Sequence, residues 1–219
     1  MKKFLIKSLY YYHKIFKPGF YFNGKKYTYF AERKDKMTWR NERAVELPLM
    51  WSEVQKFKGK RILEIGNVLS HYFSFEHDIV DKFEKGKGVI NQDVVDFKPK
   101  KKYDLIVSIS TLEHVGCGRF KDWDEFPKEP KKVLRAVENL KNNCLAEGGK
   151  MIVSMPVNYN VDMDKMIEKN EIPFTEKFWL KRISWLNDWK EADWNSVKDA
   201  EFDSPYSFAN ALLIGIIRK

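Results

Sequence analysis

Residues 60–72 read KRILEIGNVLSHY, and the reading of this stretch decides the fold. An apolar run, Ile62-Leu63, continues through Glu64 and Ile65 to Gly66. An acidic residue closing a buried strand, one position before a tight glycine turn, is how α/β proteins present a nucleotide site. The glycine lets the backbone turn sharply and approach a ligand closely. The helix expected next would point its N-terminal amides at whatever is bound. A plain strand-to-loop junction explains the same letters, so the residues downstream must decide.

Downstream, strand and helix signals alternate, which predicts a parallel sheet with helices on both faces. After Arg61–Ile65 come Asp78–Asp81, ending in an acid, then Gly88–Ile90 leading into Asn91-Gln92-Asp93. Tyr103–Ser108 is apolar enough for a central strand. Lys131–Leu145 reads as an amphipathic helix with Val133, Leu134, Val137, Leu140 and Leu145 inward, stopped by Gly148-Gly149. Met151–Met155 follows as a fifth strand. Phe174–Ile183 is expected as a helix, Ser184-Trp185-Leu186 as the start of a sixth strand, and Ala209–Ile217 as the last. The expected fold is therefore α/β: a doubly wound, Rossmann-like, seven-stranded and mostly parallel sheet.

Residues 1–58 read as a cap in front of this 59–219 domain. The first twenty residues suit an amphipathic helix with Phe4, Leu5, Leu9, Tyr12 and Phe16 on one side, packed on the core. Asn23-Gly24 between two β-prone runs signals a hairpin. Pro48 belongs at the first turn of a helix running to about Phe57, after a polar entry segment from Trp39 to Glu46.

With 219 residues, 43% of them hydrophobic, the chain can bury one α/β core. Lysine and histidine interrupt the apolar N-terminus, and no small-residue cleavage site follows, so a cytoplasmic location is expected, with at most peripheral membrane contact through the first helix. Cys117 and Cys144 are not in metal-like spacing and read as free thiols, with no metal expected. The net charge of +9 permits a nucleic-acid partner. The scatter of lysines over Lys56–Lys60, Lys98–Lys102 and Lys128–Lys132 resembles a solvated surface more than a phosphate-tracking stripe.

Taken in order, these motifs resemble the class I S-adenosylmethionine-dependent methyltransferases over roughly Arg61 to Asn158. The resemblance implies S-adenosyl-L-methionine as cofactor. Its methionine end would be held by the ILEIG acid and the loop after it, through Glu64, Gly66 and Asn67. Asp81 would bind both ribose hydroxyls and Asp93 in NQD the adenine amino group; Ser108 and Ser110 end the fourth strand, so one of them should line the pocket. LKNNCLAEGGKMIVSMP resembles the family's helix, Gly-Gly turn and fifth strand. One departure stands out. The family's first motif usually has glycines at three alternate positions, and here these read Gly66, Val68 and Ser70. A non-catalytic binding protein of the same fold is thus a competing expectation. A dinucleotide-dependent oxidoreductase is disfavoured, because only the first glycine of Gly-x-Gly-x-x-Gly is present.

Methyl transfer from a sulfonium is an in-line displacement that often needs a base for the acceptor's proton. His114, in TLEHVG after the fourth strand, is the candidate base, and Glu113 the residue that orients it or binds the acceptor; both could equally brace the loop. His71, Tyr72, Arg43 and Arg119 are candidate acceptor contacts. Arg119 could clamp a phosphate or carboxylate, or form a surface ion pair with Asp122 or Asp124. The expected reaction is methylation, at oxygen, of a small or glycan-type polar acceptor. An RNA methyltransferase is permitted by the charge, but Ser-Ile-Ser-Thr stands where an Asn-Pro-Pro-Tyr type signature would be.

Overall fold

The computed structural model describes residues 2–32, 37–118 and 128–219. Its centre is strand β6 (Tyr103–Ile109), flanked in parallel by β3 (Ile62–Ile65) and β7 (Leu145–Pro156). From β3 the chain steps outward through β4 (Asp78–Val80) to β5 (Val89–Ile90), both parallel. It then returns to β6 and builds the other half. That half holds β8 (Glu176–Arg182), β9 (Trp189–Ala192) and β10 (Ala211–Arg218), with β10 inserted antiparallel between β7 and β8. The strand order β5-β4-β3-β6-β7-β10-β8-β9 is doubly wound. Its direction of winding reverses between β3 and β6, so a crevice opens at their carboxyl ends.

Strand alternation divides the core. Leu63, Ile65 and Ile106 face one side with helices α3 (Lys132–Asn139) and α4 (Val161–Glu168), while Ile62, Leu105, Val107 and Ile109 face α2 (Arg43–Lys56). An antiparallel pair, β1 (Gly19–Phe22) and β2 (Lys25–Thr28), packs on the α2 side around the expected Asn23-Gly24 turn. A buried ion pair, Lys150 Nζ to Glu53 at 2.7 Å, ties α2 to β7.

Several expectations are corrected. The described residues form eight sheet strands, not seven, because β8 and β9 were not anticipated and the strand expected to start at Ser184 does not form. The 174–183 helix is instead β8, with 184–186 a turn; pairing of Phe178 and Trp179 with Ile214 and Leu213 of β10 overrides the local helix-start signal. Pro48 does not begin a helix but lies inside α2. A proline at 48 leaves the Ala44 carbonyl without its helical donor, and the N–H of Phe30 fills the vacancy at 2.9 Å. The helix α1 (Lys2–Phe16) turns Tyr10 and His13 inward, to the rings of Trp39 and Tyr29, and leaves Tyr12 and Phe16 exposed. The aromatic partners, rather than the periodicity, choose its buried side; Phe4 and Leu5 fall outside the described side chains. Leu145–Gly149 does not end a helix but extends β7, bulging where the register jumps from Tyr103↔Leu145 to Leu105↔Lys150.

Candidate functional site

A cleft of about 580 Å³ occupies the switch point, walled by the loops after β3, β4, β5 and β6 and by the start of α3. At its floor, Gly66 has φ +81, and a Cβ there would stand 2.2 Å from Thr111 Oγ1. This position demands glycine on two counts, backbone conformation and the close approach of the β6 loop. The next alternate position does not: Val68 has φ −106, an ordinary value. Ser70 lies in a short 3-10 turn, Leu69–His71, and its hydroxyl bonds the Asn67 side chain. The valine and serine therefore meet no glycine-only backbone.

No long helix follows β3, and its amides are not offered to a ligand. Glu64 is fully buried; its Oε1 accepts the N–H groups of Val68 (2.8 Å) and Leu69 (2.6 Å), while Oε2 meets His77 Nε2 at 2.8 Å. Glu64 is thus absent from the cleft wall, contrary to expectation, because strand alternation turns it to the α2 side, where it holds the loop from behind. The third amide, of Asn67, donates to Asp81 Oδ2 at 3.3 Å. All three N–H groups that a phosphate would need at this turn are occupied by carboxylates.

Asp81 lines the cleft directly after β4. Its Oδ1 accepts from the N–H groups of Phe83 and Glu84 (2.8 and 2.7 Å), and among the described residues no cation pairs with it. Among the described residues only the long Asn67 bond engages Oδ2, so this oxygen can accept from a ligand hydroxyl. Phe83 beside it is 41% exposed on the cleft wall. Asp93 lines the far wall, with Oδ2 bonded to Lys132 (2.8 Å) and Lys82 (3.0 Å). Burial opposes its ionisation, but these two lysines outweigh burial and hold it down to about 2. Gln92 and Val94 complete this end.

On the β6 side, Ser110 and His114 line the cleft and Ser108 does not: Ser108 is buried within the sheet on the α3 side, one residue short of the strand end. Ser110 has φ +39, strained for a residue with a side chain. Its N–H bonds Ser154 O (2.9 Å), and its hydroxyl donates to Glu46 Oε1 of α2 at 2.6 Å. Glu46 also takes Arg43, so Arg43 belongs to a buried ion pair beside the cleft and is not on its wall. Glu113 is buried behind His114, with Oε1 3.8 Å from His114 Nε2 and Oε2 without a hydrogen-bond partner among the described residues. Burial, with Glu46 adding to it, pushes the Glu113 carboxyl well above its ordinary range. Burial and then the Arg43 charge hold His114 down to about 4, so at neutral pH it is uncharged, not partly protonated as its ordinary value suggests. The His114 ring meets Tyr159 at 4.7 Å.

His71 and Tyr72 are off the cleft wall. His71 pairs with Glu84 at 3.0 Å, and Tyr72 packs edge-on against Phe30. Arg119 lies outside the described residues. Sequence reasoning missed Phe83, Gln92, Thr111, Lys82 and Lys132; the position of Phe83, two residues after Asp81, was the one available signal. Among the described lining residues, the carboxylates of Asp81, Glu84, Asp93 and Glu129 outnumber Lys82 and Lys132. The described cleft wall is net negative in a chain of net charge +9.

No protein-family model matches the sequence, and no curated protein matches it. Among solved structures the chain is similar to the N-methyltransferase NodS from Bradyrhizobium japonicum WM9 in complex with S-adenosyl-L-homocysteine: TM-score 0.47, 12% identity, 85% of this chain and 93% of that one. It is also similar to a SAM-dependent methyltransferase from Archaeoglobus fulgidus, at TM-score 0.45 and 16% identity, over 77% of this chain and 91% of that one. A third is a SAM-dependent methyltransferase from Thermotoga maritima, described as a possible histamine N-methyltransferase, at TM-score 0.41 and 15% identity, covering 77% and 89%. Likenesses this distant carry no activity across, and the functional reading rests on the cleft.

Proposed function

We propose that the protein is an S-adenosylmethionine-dependent methyltransferase that methylates a small polar acceptor at oxygen, with His114 receiving the acceptor's proton. The observation that carries this reading is the electrostatics of the switch-point cleft. Its turn amides are capped by Glu64 and Asp81, and carboxylates outnumber cations among its described lining residues. Such a site repels the pyrophosphate of a dinucleotide and favours a nucleoside bearing a cationic sulfonium. When bound, that cofactor supplies an electrophilic methyl group.

The residues present fit it. Asp81 Oδ2 has lone pairs for the ribose hydroxyls, Phe83 offers a ring to the base, and Asp93 Oδ1, which among the described residues takes only the Val95 N–H at 3.2 Å, keeps an acceptor for an exocyclic amino group. Gly66 and Asn67 would close the site around the sulfonium end. An uncharged His114 adds no repulsion toward a sulfonium and has a lone pair for a proton. Among the described residues the cleft wall has more carboxylates than cations and no basic track runs along it, which disfavours an RNA acceptor. Isothermal titration with S-adenosylmethionine and with S-adenosylhomocysteine tests the reading. Binding of both, with turnover on a hydroxyl acceptor, is expected; no heat with either at millimolar concentration would overturn it.

A further inference from the structure

Helix α1 carries an apolar stripe on the side away from the core. His13 is buried against the Tyr29 ring and Tyr10 packs on Trp39, while Ile15 and Phe16 are 69% and 70% exposed and Tyr11 and Tyr12 stand exposed beside them. Positions 11, 12, 15 and 16 are spaced as i, i+1, i+4 and i+5, so they form one continuous outward stripe. Within it the Tyr12 and Phe16 rings meet at 5.4 Å. A helix that served only the core would turn these four inward and its histidine outward. The sequence repeats the spacing upstream, where Phe4 and Leu5 precede Tyr11 and Tyr12 by seven residues.

The charge of the chain is concentrated on the same segment. Residues 1–31 hold seven lysines and no acid, whereas residues 32–219 hold 33 basic residues against 31 acidic ones. Seven of the nine net positive charges therefore belong to α1 and the strands that follow it. Lys14 and Lys17 are exposed next to the stripe, and among the described residues no carboxylate pairs with either. Two acids from β9 and the turn before it reach this segment: Asp188 acts on the inward-turned His13, and Glu191 accepts from the Asn23 N–H at 2.7 Å. Rings and aliphatic side chains set among lysines match a bilayer interface with anionic headgroups, the rings entering the acyl boundary and the ammonium groups staying with the phosphates. An isologous contact with a second copy would instead set the same lysines against one another. Among the described residues no helix is long and apolar enough to cross a membrane, so the contact lies in the surface plane.

We propose that α1 docks the protein on an anionic lipid bilayer, with Tyr11, Tyr12, Ile15 and Phe16 entering the interface and the lysines of the segment meeting the headgroups. The docking uses no residue that lines the switch-point cleft, so it stands apart from the methyl-transfer reading. The test is flotation of the full chain with vesicles of phosphatidylcholine alone and with about one third phosphatidylglycerol, at low and raised salt. Binding to the anionic vesicles is expected, weakened by salt and at least about tenfold weaker on the neutral ones. Ile15→Ser with Phe16→Ser, and separately Lys7→Glu with Lys14→Glu, should each weaken it at least about tenfold with circular dichroism and melting temperature unchanged. Absence of flotation with anionic vesicles, or unaltered binding in both folded variants, would overturn the proposal. So would a concentration-dependent dimer in sedimentation equilibrium that Ile15→Ser with Phe16→Ser abolishes, which would give the stripe to a second copy.

Discussion

Glu64 gives the sharpest test of how the switch-point loop is built. Glu64→Ala removes the acceptor of two amides and the partner of His77 in one change. Each buried N–H left unpaired costs about 1–3 kcal/mol, so the pair amounts to about 2–6 kcal/mol, moderated where water can enter the space. That is a large share of the roughly 5–15 kcal/mol by which a domain of this kind is stable. Glu64→Gln keeps one oxygen for both amides. It asks only that His77 move its proton to Nδ1, which already faces the Phe75 carbonyl at 3.3 Å, so the expected loss is below about 2 kcal/mol. Urea unfolding followed by tryptophan fluorescence reads the difference as a shift in midpoint at constant slope. The reasoning fails if Ala unfolds within about 0.5 kcal/mol of the parent, or if Gln loses as much as Ala.

Three further outcomes follow from the site. Asp81→Asn keeps an acceptor for the Phe83 and Glu84 amides, so the fold should hold while affinity for S-adenosylmethionine drops by about 1.5–3 kcal/mol; unchanged affinity by calorimetry would mean the ribose is held elsewhere. His114→Asn should lower kcat by about 10²–10⁴ with cofactor affinity intact, and the parent's kcat should fall on acidification only toward pH 4, following a His114 value of about 4. An acid limb centred near the ordinary histidine value would assign the base to another group. Burial raises Asp164 to about 7, against the single hydrogen bond from Asn158 N–H. Its folded value lies above its unfolded one, so the stability it contributes is full below the ordinary aspartate value and is lost as pH rises through about 7. Asp164→Asn should therefore melt higher than the parent at pH 8 and equally at pH 4; a difference independent of pH would refute the burial argument.

Legibility in the sequence followed burial on both faces. β3, β6 and β10 are apolar runs because helices or the β1–β2 pair cover each side, and the acid after β4 and the glycine after β3 sit at ends that such strands define. The last strands were misread. β8, EKFWLKR, carries no strict alternation, and its pairing with β10 on one side and β9 on the other makes it a strand. In the site, Gly66, Asp81, Asp93, Ser110 and His114 were found because each follows a recognisable strand. The Glu46–Ser110 bond was not, since it joins residues 64 apart through the packing of α2 on the sheet.

The sequence by itself determined the parallel strands from β3 to β7, the loops that meet at the switch point, and the residue types those loops bring. Apolar runs and turn residues act locally, so their effect survives without a partner in view. Tertiary structure decided what each polar group does there. Glu64 became a brace for loop amides because its strand faces α2. His114 became an uncharged imidazole because α2 brings Arg43 near it and the fold shuts out water. Val68 and Ser70 proved compatible with the turn because the backbone needs positive φ at Gly66 and not at Val68. Charge, protonation and backbone strain depend on neighbours distant in sequence, and only the folded chain supplies them.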